Sequence, residues 1–201
     1  MDSERAAEAL HWLRQEFPLE SRVASLPANL LRVYRAILAS WKTGESPCIE
    51  IADAEVLQEL SGLDAILIEG DRISCYPFSA RDTGIRVAVG QKSVNAMCAI
   101  DALAIPGIML EIGEIEADCA VCGTRLAFVV DSEGKVRTGS GRVTVAWAGT
   151  LVGSSCCGKS LCPEILFQCS GCSVSTEGSL LSVADSAAVA SAFFSFQRNL
   201  L

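Results

Sequence analysis

Ala65-Ile-Leu-Ile-Glu-Gly-Asp-Arg-Ile-Ser-Cys-Tyr76 is the stretch on which the reading of the fold turns. Two short runs, the apolar 65–68 and the alternating 72–76, flank Glu69-Gly70-Asp71. Glycine adopts positive φ at little cost in a tight turn, so the stretch predicts a β-hairpin. Upstream the pattern is helical. Over residues 4–17, Ala7, Leu10, Leu13 and Phe17 recur at three- and four-residue steps. A second helix is predicted from Pro27, suited to a first turn because its missing N–H is not needed there, to Trp41. A third, over 52–60, stops near Gly62. Three helices and a hairpin outline a winged-helix-like module. Its candidate recognition helix, 52–60, carries Asp53, Glu55 and Glu59 and no base, and the chain has a net charge of −8. Phosphate backbones need a positive footprint, so nucleic acid is excluded as a partner.

Downstream, from Gly84, the character changes. Residues 85–89 alternate as a strand, and 94–103 predict a short helix entering a break at Pro106-Gly107. Strands are predicted at 126–130 and 142–147, with the turn-rich 131–135 between them, and at 164–168. A final helix over 186–200 buries Val189, Phe193, Phe194 and Phe196. The fold class expected is α+β: an N-terminal winged-helix-like helical module, residues 1–80, packed on a cysteine-rich mixed α/β core, 81–201, that closes with a C-terminal helix.

Half of the 201 residues are hydrophobic and a fifth are charged, the balance of a folded globule. No apolar run reaches the length of a membrane span, since 99–110 is broken by Asp101 and by Pro106-Gly107. The first seventeen residues lack the basic-then-apolar order of a secretion signal, so a cytoplasmic location is expected. In that reducing compartment ten cysteines point to metal or thiol chemistry rather than disulfides. Cys48 and Cys75 stand alone and read as small buried hydrophobes. The other eight fall between Cys98 and Cys172, paired or close together.

Cys98-Ala-Ile-Asp101 sets a thiol and a carboxylate three residues apart, on one face of a helix. Asp101 lies among Ala99, Ile100, Ala102, Leu103, Ala104 and Ile105. Desolvation there favours the protonated acid and suits it to hold a proton near neutral pH. The alternative is an aspartate that merely caps a neighbouring segment. Cys156-Cys157 sits in a Gly/Ser-rich stretch. Adjacent cysteines make poor disulfides, so one sulfur is free to point into a site where thiolates bind a soft metal.

These residues carry a resemblance. Val94-Asn-Ala-Met-Cys-Ala-Ile-Asp-Ala-Leu-Ala-Ile-Pro106 resembles the active-site segment of the alkylmercury (organomercurial) lyases. The likeness continues through Asp118-Cys119-Ala-Val-Cys-Gly-Thr124, Cys156-Cys157 and the terminal Phe193-Phe-Ser-Phe-Gln-Arg-Asn-Leu-Leu201. It implies that Cys98, Cys156 and Asp101 are catalytic, with Cys157 beside them at the mercury site. The thiolates would capture R–Hg⁺ and Asp101 would relay the proton that cleaves the carbon–mercury bond. The products would be a hydrocarbon and bound Hg(II), passed to a small thiol or a mercury-accepting protein, with no cofactor required. The chain departs from the family in having Asn95 and Met97 near the first cysteine, and Gly158-Lys-Ser-Leu-Cys162 after the pair.

Two further pairs, Cys119-Ala-Val-Cys122 and Cys169-Ser-Gly-Cys172, have zinc-knuckle spacing. They suit one structural zinc ion, an auxiliary soft-metal relay, or a packed or redox dithiol. Cys162 reads as a buried residue first, ahead of a third thiolate or a route for passing metal on. The functions left open are a carbon–mercury lyase and a non-catalytic protein that binds or delivers a soft metal. Asp101 favours the lyase, because a pure thiolate trap has no use for a proton donor.

Overall fold

A computed structural model describes residues 3–145, 157–172 and 179–201. The N-terminal part contains α1 (Ser3–Glu16), α2 (Leu19–Ala24), α3 (Ala28–Lys42) and α4 (Ala54–Gly62). The predicted helices are present, and α2 is an addition: one short turn after Pro18 that buries Leu19 and Val23, four residues apart on one face. The hairpin follows as β1 (Leu67–Glu69) and β2 (Arg72–Ser74), antiparallel with Ile68 opposite Ile73.

A six-stranded antiparallel sheet forms the centre. Its strands are β3 (Phe78–Ser79), β4 (Arg86–Val89), β5 (Lys92–Ala96), β6 (Gly113–Asp118), β7 (Arg125–Val130) and β8 (Val136–Thr138), in the spatial order β3-β5-β4-β6-β7-β8. Between β5 and β6 runs α5 (Ala99–Met109), every residue of which is buried. A helix apolar on all sides belongs inside a core. It packs on β4, β5 and β6 and against α7 (Val183–Phe193), which in turn packs on α1. A smaller sheet, in the order β10-β9-β11, comprises β9 (Arg142–Val145), β10 (Phe167–Gln168) and β11 (Ser179–Ser182). The short helices α6 (Cys157–Ser160) and α8 (Ser195–Arg198) complete the described α-helices.

The helix expected over 94–103 is displaced. Val94 and Ala96 are core-facing residues of β5, which pairs along its length with β4, so residues up to Ala96 are extended. The helix begins only after Cys98 and passes through Pro106 instead of stopping before it. Pro106 lies within the last turn, and its carbonyl accepts the N–H groups of Leu110 and Glu111, closing the helix there. The predicted strand at 142–147 is β9 as far as Val145; its last two residues lie outside the described part. At 164–168 only Phe167 and Gln168 are strand, preceded by a 3-10 turn at Cys162–Glu164.

Candidate functional site

Cys98 occupies the N-cap of α5 in extended conformation, and its sulfur accepts the backbone N–H of Asp101 at 3.4 Å. It is therefore a capping side chain rather than a residue within the helix. Asp101 stands at the third helical position, as the acidic member of a capping box does. The spacing read from sequence brings the two together, through the cap and not through a shared helical face.

The opposite wall comes from residues 157–166. The backbone N–H of Ala99, a donor that helix geometry leaves unpaired, is taken by the carbonyl of Ile165 at 3.1 Å. The Thr144 hydroxyl on β9 donates to the carbonyls of Glu164 and Leu166 and accepts the N–H of Leu166. These bonds dock the 162–166 segment on the start of α5 and deliver Cys162 to the site. The ligand atoms of Cys98, Asp101 and Cys162 all lie within 4.8 Å of one another. The Cys162 thiol donates to Asp101 Oδ2 at 3.7 Å, and the Cys157 sulfur lies 3.8 Å from that of Cys162. All four residues are buried, at 3 to 7% exposure.

From sequence Cys162 reads as a buried residue first and as a third thiolate or transfer route second. It is buried, but it faces the carboxylate and two other thiols. Cys157 lies beside it, and Cys156 falls outside the described residues. His11 is exposed, and Cys75 is fully buried, its thiol pushed up to about 12 by burial. Cys48 is half-buried and accepts a bond from Arg72 at 3.0 Å.

The electrostatics favour a site that stores protons. Burial pushes Asp101 up to about 7, against hydrogen bonds with Cys98 and Cys162 that pull it down. Burial likewise raises Cys98 well above the ordinary thiol value. Cys162 is raised as well, first by its contact with Cys157. Between them the groups hold thiol protons next to a carboxyl raised to about 7, and no cation is among the described groups that shift them.

The 157–160 turn is tied to the N-terminal part. Asp64 Oδ2 accepts the N–H of Cys157 at 2.9 Å and a guanidinium N–H of Arg22 at 3.3 Å. The Tyr76 hydroxyl donates to Asp64 Oδ1 at 2.9 Å and accepts the N–H of Gly158 at 2.8 Å. At Gly158 a Cβ would stand 2.9 Å from Leu67 Cδ2 and 3.3 Å from the Tyr76 hydroxyl, so a bare backbone is needed for this approach. Helix α8 adds Gln197, which donates to the Tyr76 carbonyl at 2.6 Å and the Tyr34 hydroxyl at 2.7 Å.

The remaining cysteines form a separate group. Cys119 and Cys122 lie in the β6–β7 turn, Cys169 and Cys172 follow β10, and the four sulfurs lie within 4.8 Å of one another.

The family model described as alkylmercury lyase matches residues 78–176, which contain both cysteine groups. No curated protein sequence matches the chain. Among solved structures, one titled as the mercury-bound form of MerB2 superposes with a TM-score of 0.71 at 16% identity, covering 95% of this chain and 99% of that one. A structural likeness at that identity speaks for the fold; the family match speaks for the segment that carries Cys98, Asp101, Cys157 and Cys162. Residues 78–176, which carry both cysteine groups, belong to the alkylmercury lyase family of carbon–mercury-cleaving enzymes.

Proposed function

We propose that the chain cleaves organomercurials by protonolysis, with Cys98 and Cys162 as the gripping thiolates and Asp101 as the proton carrier. The observation that carries the reading is the Asp101 carboxyl, buried between two thiols and hydrogen-bonded to one of them. In the first step a sulfur–mercury bond forms at Cys98 and its proton leaves. In the second, Cys162 binds mercury and its proton passes to Asp101, along the hydrogen bond that already joins them. Two sulfur donors raise the electron density on the mercury-bound carbon. Asp101 then gives its proton to that carbon, and the carbon–mercury bond breaks. The balance is R–Hg⁺ plus two thiols giving R–H, a dithiolate of Hg(II) and one proton to solvent. Mercury is substrate and cargo throughout. Placement of the proton next to the leaving carbon replaces an encounter with a free acid.

The resemblance assigns the second thiolate to Cys156; the geometry of the described residues favours Cys162, with Cys157 beside it to receive the product metal. A small thiol or an acceptor protein would then take Hg(II) from the site.

The test is benzene release from phenylmercury in excess small thiol, followed for Cys98→Ser, Cys162→Ser, Cys156→Ser and Cys157→Ser. Loss of benzene in the Cys98 and Cys162 variants, with activity kept in Cys156→Ser, is expected. Full activity in Cys162→Ser with loss in Cys156→Ser would return the second thiolate to Cys156. Stoichiometric phenylmercury binding with no benzene from the parent protein would reduce the chain to a binding protein.

A further inference from the structure

We propose that Cys119, Cys122, Cys169 and Cys172 hold one zinc ion, at a structural site separate from the mercury chemistry. The sulfurs of Cys119 and Cys172 are 3.8 Å apart, those of Cys122 and Cys169 are 3.8 Å apart, and those of Cys169 and Cys172 are 3.3 Å apart. A tetrahedral ion with zinc–sulfur bonds of about 2.3 Å spaces its ligands about 3.8 Å apart. Two cross-pair separations therefore already match the edge of that tetrahedron, and the third needs to open by a few tenths of an ångström. A disulfide would need sulfurs about 2 Å apart, and all four cysteines are free.

The backbone supports the same assignment. The first pair sits in a turn where Cys119 N–H donates to the Thr124 carbonyl at 2.8 Å and Gly123 N–H to the Cys119 carbonyl at 2.9 Å. Gly123 directly after the second cysteine has φ +70, a conformation that side chains rarely adopt, and it turns the chain back toward β7. The N–H of Cys169 points at the Cys119 sulfur at 3.3 Å, a donor aimed at a thiolate ligand from the other pair. Ala120 N–H bonds the Phe167 carbonyl at 3.0 Å, which sets the two turns face to face. Four thiolates and no vacant position make a closed site, the arrangement of structural rather than catalytic zinc. Softer Hg(II) would bind such sulfurs too, but zinc is the ordinary cellular occupant of a four-thiolate tetrahedron. Such an ion joins the β6–β7 turn to the end of β10, the strand that leads directly away from the docked 162–166 segment.

The experiment is elemental analysis of the full-length chain, purified reduced and without chelator, beside a Cys122→Ser/Cys169→Ser double variant and Cys98→Ser. Expected are about one zinc per chain in the parent and in Cys98→Ser, and at least a tenfold loss in the double variant. Parent protein free of zinc, or carrying iron instead, overturns the proposal. So does zinc that disappears with Cys98→Ser and stays in the double variant. Should the double variant not fold, cobalt(II) exchanged into the parent decides. Intense sulfur-to-cobalt charge transfer with the visible bands of a tetrahedral four-thiolate site is expected, and the spectrum of a two-thiolate, oxygen-bearing site overturns the assignment.

Discussion

The two cysteine groups present the same ligand atom in opposite surroundings. Cys98, Cys157 and Cys162 are all buried with a carboxylate among them, whereas of the outer four only Cys119 is buried, Cys122 being exposed and Cys169 and Cys172 half-buried. The buried thiols have a carboxylate in hydrogen-bonding reach; the outer four have one another and, at Cys122, the Thr124 hydroxyl at 3.2 Å. A sulfur cage with every corner filled holds an ion and offers it no further reaction. An incomplete set of sulfurs beside an acid leaves mercury its organic group and sets a proton beside it. On the proposed reading, the difference between holding and cleaving lies in Asp101 and in burial, more than in the number of cysteines.

The largest effect is expected at Asp101. Asp101→Asn keeps the volume and removes the transferable proton. Phenylmercury should still bind, one per chain, while benzene release falls by about 10²- to 10⁴-fold, the range for removal of a positioned general acid. Isothermal titration with phenylmercury and gas chromatography of benzene give the two readouts. If turnover survives intact, the proton reaches the carbon from a group other than Asp101, and the contrast with the outer group fails.

The outer group should answer to stability instead. If it holds zinc, a strong chelator lowers stability by the binding free energy, about 4 kcal/mol where free zinc had stood at a thousand times its Kd. The parent should melt several degrees lower after chelation, and the Cys122→Ser/Cys169→Ser variant should not respond. An unaltered melting temperature in the parent would mean that the four sulfurs are held together by packing alone.

A smaller effect follows from the proton that Asp101 stores. Burial holds its carboxyl at about 7, above the usual aspartate value, so between those limits the folded chain binds more protons than the unfolded one. Stability from this group is full at low pH and falls as pH rises toward about 7. Between pH 5 and pH 8 the parent should lose about 2–3 kcal/mol that Asp101→Asn does not, at about 1.4 kcal/mol per pH unit over the titrating interval. Urea denaturation of both proteins at the two pH values measures it. Parallel pH dependence in the two proteins would show that Asp101 is not held protonated.

Much of this contrast was legible before the fold was known, and its gaps have physical causes. Cys98 and Asp101 are three residues apart, so local spacing brings them together whether the first is in the helix or caps it. Likewise each C-x-x-C pair closes a turn on its own. Cys162 was not legible, because its approach to Asp101 depends on Ala99, Thr144 and Ile165 bonding across three elements. Strand β6 was legible and was passed over: Gly113, Ile115 and Ala117 are buried and alternate with exposed Glu114, Glu116 and Asp118. Pro106 misled in the other direction, since proline costs a helix most in its middle and Pro106 falls in the last turn of α5.

The smallest expected effect concerns how the buried group is held. Tyr76→Phe removes one hydroxyl that links Asp64 to the N–H of Gly158, while the ring keeps its edge contact with Phe17 at 4.7 Å. Loss of two hydrogen bonds, one left as an unpaired buried N–H, should cost about 1–3 kcal/mol. The Cys157 N–H still reaches Asp64, so the turn should stay folded but lie less tightly against the hairpin. The expected signature is a fall of a few-fold in benzene release at saturating phenylmercury, with binding stoichiometry unchanged. The zinc content of the outer group should not move, because none of its ligands touches Tyr76 or Asp64 through these bonds. Parallel loss of zinc and turnover would mean that the two cysteine groups are one mechanical unit, held by the single segment 157–172 that carries sulfurs of both.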